Sequence, residues 1–125
     1  MKTQKKNKKQ QAKKQVLNNK SFIALQAFMI NDLGLYGDEL LVYAKIFGLC
    51  KYVGVCYALT VIEELSKWLN KSTDETINII SSLRNKNLIG VIGDNNNYTF
   101  DVNLSKLPQS EFNEFQNVIF NCGGY

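Results

Sequence analysis

The side chains best suited to recognition chemistry fall within one stretch, Ser72-Thr-Asp-Glu-Thr-Ile-Asn-Ile-Ile-Ser-Ser-Leu-Arg84. Asn78 carries an amide that can bond bidentately to the edge of an adenine. Thr73, Ser81, Ser82 and Asn85 add hydroxyl and amide groups for phosphates or base edges. Lys67, Lys71, Arg84 and Lys86 flank them, where phosphates would run. The same residues also describe a solvated polar helix face with scattered surface charge. Asn95, Asn96 and Asn97 form a second polar run, with Asn96 as a candidate minor-groove contact, although such a run is also ordinary turn chemistry. A catalytic constellation is not visible. The chain has no histidine, which removes Ser-His-Asp and Cys-His arrangements. It has no glycine loop to cradle phosphates. The acidic pairs Asp38-Glu39, Glu63-Glu64 and Asp74-Glu75 read as helix-start or surface charges. Cys50, Cys56 and Cys122 lack the spacing of a structural zinc site. Neither a cofactor nor a metal is expected, and Cys50 and Cys56, set among apolar residues, read as buried free thiols.

Charge divides the chain sharply. Residues 1–20 hold eight lysines and no acid, so this segment carries +8. The remaining seven Lys/Arg face eleven Asp/Glu, leaving the body at −4. A segment so rich in Lys, Gln and Asn has almost nothing to bury, and a disordered basic arm is expected. Such an arm neutralises phosphates without reading sequence, which predicts steeply salt-dependent nucleic-acid binding. Leu40 to Ile62 is apolar-rich, but Lys45 and Lys51 interrupt it. Each lysine would cost about 2.5–3.5 kcal/mol at the centre of a membrane-spanning helix. No membrane association is expected, and the odd cysteine count without a disulfide framework suggests a cytoplasmic protein.

The elements that position these residues follow from pattern. Phe22 to Leu33 reads as an extended lead-in and a helical turn, and Gly34-Leu-Tyr-Gly37 as a loop. Asp38 is suited to cap a helix from Glu39 to Lys51, with Leu40, Leu41, Ala44, Phe47 and Leu49 facing inward and Gly54 marking its end. Val55-Cys-Tyr-Ala58 is β-prone. Thr60–Leu69 has Val61, Ile62, Leu65, Trp68 and Leu69 at helical spacing, and Asn70-Lys71 forms a turn. Ser72 and Glu75 make a capping box for a helix burying Thr76, Ile77, Ile80 and Leu83, closed by Asn87. Leu88–Ile92 and Tyr98–Val102 are two β-rich runs joined by a Gly/Asp/Asn turn. Pro108 and Ser110 then open a helix with Phe112, Phe115 and Ile119 on one face, for packing on the first long helix or for a partner. Helix, turn, helix and hairpin in this order define a winged helix of the α+β class. The chain divides into a tail (1–20), a winged-helix domain (21–104) and a C-terminal helix and tail (105–125).

The run from Phe22 to Ala44 resembles the opening of helix-turn-helix domains in replication proteins of Gram-positive phages and mobile elements. The resemblance lies in an apolar lead-in, the core Leu33-Gly-Leu-Tyr-Gly-Asp-Glu-Leu40, and the pair Tyr43-Ala44, with Leu65-Ser-Lys-Trp-Leu69 and Leu88-Ile89 at similar spacing. It covers about residues 22–103. It implies a double-stranded DNA-binding module of a replication initiator or replisome organiser, with replication proteins as candidate partners. Whether a second copy of the chain pairs with it is left open, since winged helices work as monomers and as dimers. Where such domains often carry Lys or Arg early on the reading helix, this chain has Thr73, Asp74 and Glu75. The competing expectation is a protein–protein adaptor that uses the same fold and touches nucleic acid only through its tail.

Overall fold

The stretch with the most continuous apolar character becomes the centre of the molecule. The computed structural model describes residues 22–93 and 97–122, with side chains through Gln116. In order these form α1 (Ala27–Asn31), α2 (Gly37–Gly48), α3 (Ala58–Trp68), α4 (Thr73–Asn85), β1 (Ile89–Ile92), β2 (Thr99–Val102) and α5 (Gln109–Cys122). The class is α+β, with one antiparallel two-stranded sheet among the described residues. Its register pairs Ile89 with Val102 and Val91 with Phe100. The lysine arm and Asn96 lie outside the described residues.

Helix α2 is packed against α1, α4 and β2, and its continuation against α5. That placement buries Val42, Tyr43 and Ile46 as well as Leu40, Ala44 and Phe47, while Leu41 is only half-buried. A one-sided amphipathic face was expected. A helix enclosed on several sides instead buries most of its circumference. Each fully buried large apolar side chain contributes roughly 1.5–3 kcal/mol relative to exposure. Phe28 meets the Phe47 ring edge-on at 5.3 Å, and Phe115 of α5 does so at 5.7 Å. Phe115 therefore lies in the core on α2, while the Ile119 side chain lies outside those described.

Helix α2 begins one residue before the expected cap. Tyr36 occupies the N-cap position without a side-chain bond, and Asp38 sits inside the first turn. The α-helix passes at Leu49 into a π-helical turn, Leu49–Val53, and ends at Gly54 with φ of 95°. Only glycine adopts that left-handed conformation cheaply. The expected strand over 55–58 contracts to a single bridge, Tyr57 to Thr99, because α3 already starts at Ala58.

Lys45 and Lys51 are each only 3% exposed, although the sequence marked them only as interruptions. Lys45 Nζ lies 3.5 Å from Glu64, 3.5 Å from the Phe22 carbonyl and 4.5 Å from the centre of the Trp68 ring. Trp68 is thus 39% exposed, lying over the ammonium instead of in the core. Lys51 Nζ lies 3.1 Å from Glu111 and 3.8 Å from Glu114 on α5. Buried ammonium groups need such partners, and here the partners sit on the segments flanking the central helix. Among the described residues, no helix is long and apolar enough to cross a membrane.

Candidate nucleic-acid interface

Helices α3 and α4 are joined by local devices that the sequence encodes directly. Asn70 takes a left-handed φ of 55°, Lys71 N–H bonds the Ser66 carbonyl and Asn70 N–H that of Lys67, which closes α3. Ser72 then starts α4. Its hydroxyl accepts from Glu75 N–H at 3.0 Å, and Glu75 Oε1 accepts from Ser72 N–H at 2.9 Å. The Ser72 backbone N–H first, and then the Ser72 hydroxyl, hold the Glu75 carboxyl below its ordinary range. Asn87 closes α4 in the same way, with φ of 61°, its own N–H on Arg84 and Leu88 N–H on Leu83.

Thr76, Ile80 and Leu83 anchor α4 to the core. The Thr76 hydroxyl donates to the Ser72 carbonyl at 3.0 Å and lies 2.9 Å from Ser66 Oγ, which itself bonds the Ile62 carbonyl at 2.7 Å. Anchoring that face presents the opposite one. At the helical spacing of 100° per residue, Asp74, Asn78, Ser81 and Asn85 form one outward stripe. Asp74, Asn78 and Asn85 are exposed, whereas Ser81 and Ser82 are half-buried. Thr73 and Arg84 lie exposed on one flank of the stripe, together with Ile77. Ile77 was expected in the core but is 41% exposed, because Thr76 and Ile80 take the inward positions.

The four flanking cations do not behave alike. Lys67 and Arg84 are exposed. Lys71 Nζ lies 3.2 Å from Asp38, and Lys86 Nζ lies 2.6 Å from Glu39. The start of α2 therefore places two carboxylates beside α4, where lysines from both ends of α4 reach them. Ion pairs this accessible contribute at most about 1 kcal/mol, so a phosphate can compete for either lysine. Sequence reasoning missed this coupling. Asp38-Glu39 was visible only as a helix-start pair, and no local signal says which helix it will face.

The hairpin stands at the far end of α4. Leu88 and Ile89 insert into the core, and β2 is tied to α3 by Ala58 N–H on the Tyr98 carbonyl at 3.0 Å. Tyr57 and Tyr98 are left exposed beside this junction, aromatic surface that the sequence did not signal. Gly93, at φ of +118°, turns the chain out of β1, and a Cβ there would collide with the Asn97 carbonyl. Among the described residues, no cluster of three or more Cys, Asp or Glu could hold a metal ion. Comparison with known protein families, curated proteins and solved structures finds no match.

Proposed function

We propose that the domain is a winged helix that binds double-stranded DNA, with α4 in the major groove, the hairpin as wing and the lysine arm along the backbone. The observation that carries this reading is the Asp74–Asn78–Ser81–Asn85 stripe, left outward by a helix whose opposite face is fixed in the core. Asn78 is the base-reading residue, suited to adenine, and the acceptor-only carboxylate of Asp74 suits a cytosine amino group. Lys67, Arg84 and, after exchange of their acidic partners, Lys71 and Lys86 serve phosphates. The process is replication initiation or transcriptional control in a phage or mobile element, a role that rests on the resemblance of the Phe22–Ala44 run.

Selection from a random double-stranded DNA pool tests this, with the full chain and a chain lacking residues 1–20 run in parallel. Enrichment of the same motif by both, lost on Asn78→Ala with Ser81→Ala, supports reading by α4. If only the full chain binds, and without a motif, the arm is the binder. One observation favours the second reading, a protein-interaction module. Ile77 is exposed on α4, and two of the four nearby cations are already paired with acids. Failure to enrich any motif would direct the search to a protein partner for the α4 face.

A further inference from the structure

Cys50 and Cys56 sit on either side of one peptide group. Phe100, in the middle of β2, donates its N–H to the Cys56 carbonyl at 2.9 Å. Its carbonyl oxygen accepts from the Cys50 thiol at 3.4 Å. In an antiparallel strand both polar groups of a residue point to the same side. The Cys50 sulfur therefore occupies the position from which a neighbouring strand residue would normally donate, directly beside Cys56. The neighbouring Cys50 thiol, together with burial, pushes the Cys56 thiol far above its ordinary range. Both residues line an open cleft of about 640 Å³ between the π-helical turn, β2 and Phe115. Cys50 is half-buried and Cys56 fully buried, and both are free.

We propose that Cys50 and Cys56 form a dithiol site oxidised to an intramolecular disulfide by a small-molecule disulfide of the glutathione class entering this cleft. The Cys50 thiolate attacks one sulfur of that molecule, its S–S bond breaks, and one reduced thiol leaves with a proton. The Cys56 thiolate then attacks the Cys50 sulfur, the mixed disulfide breaks, and the second reduced thiol leaves with a proton. The two electrons lost by the protein pair reduce the small disulfide. Closure removes the only donor that Cys50 offers to Phe100, so the site reports on the strand that carries the hairpin.

Oxidised glutathione, added to the folded full-length chain, is the probe, read by intact mass and by peptide mapping after alkylation. The expected product has lost two hydrogens, joins the Cys50 and Cys56 peptides, and leaves Cys122 open to alkylation. A Cys122→Ser chain gives the same product. A mixed disulfide on Cys50 that persists as pH is raised, a bond to Cys122, or two thiols that stay fully alkylatable would each overturn the proposal. None of these readouts depends on DNA, so they stand apart from the function proposed for α4.

Discussion

Ser66 Oγ and Thr76 Oγ1 meet at 2.9 Å across the turn that joins α3 to α4. Each hydroxyl also bonds a carbonyl one turn back on its own side, Ile62 for Ser66 and Ser72 for Thr76. Two hydroxyl protons thus serve three contacts, and either hydroxyl can donate across the turn. This couples the angle between the helices to two small side chains with little exposure.

Thr76→Val keeps the shape and removes the hydroxyl. The expected loss is about 1–2 kcal/mol, since Ser66 loses its cross-turn partner and the Ser72 carbonyl loses the hydroxyl of the fully buried Thr76. A fall in the urea midpoint with unchanged slope would show it. A variant as stable as the parent would mean that the helices are set by packing alone.

Asp38→Asn combined with Glu39→Gln frees Lys71 and Lys86. Under the DNA-binding reading, affinity at low salt rises, and each lysine that gains a phosphate steepens the salt dependence by about 0.9 in the logarithmic slope. Titrations across salt concentrations measure this. An unchanged slope would remove both lysines from the interface.

Lys51→Met leaves Glu111 without its cation and weakens the hold of α5 on the π-helical turn. The cost is about 1–3 kcal/mol, below that of a fully enclosed pair because Glu114 is largely open to solvent. Burial lowers the Lys51 value, but the bond to Glu111 together with the charges of Tyr52, Glu111 and Glu114 outweighs it and leaves a net rise. The stabilisation is therefore complete below the ordinary lysine value of about 10.5 and disappears as pH climbs through the raised one. Unfolding midpoints of parent and variant should converge in that alkaline window, and amide exchange in α5 should accelerate in the variant at neutral pH.

Glu75 works in the opposite direction. Its folded value lies below the ordinary carboxylate range, so its contribution is present above about pH 4.3 and fades as pH falls through the depressed value. Glu75→Gln should lower helix stability at neutral pH and converge with the parent in acid. A difference that persists at low pH would assign the effect to the amide's own geometry.

Much of the local architecture is legible in the residues. Ser72 and Glu75 announce the start of α4, Asn70 and Asn87 its neighbouring chain reversals, and Gly54 the end of the central helix. Each acts through its own backbone or that of residues within one turn, so local sequence suffices. Ile77 and Trp68 were misplaced for the complementary reason. Periodicity gives the apolar side of a helix but not the width that its neighbours cover, and α4 is covered only as far as Thr76 and Ile80.

By itself the sequence determined the order of elements, their caps and turns, and the polar composition of the α4 face, because these depend on short-range sterics and hydrogen bonds. Tertiary structure alone decided that Lys45 and Lys51 would be buried among the carboxylates of α3 and α5. It also paired Lys71 and Lys86 with Asp38 and Glu39, and set Cys50 beside Cys56 across Phe100. Those partners come from different elements, and a charge or thiol has no long-range signature in a linear chain. Its chemistry is set by whichever groups the packed helices bring within a few ångströms.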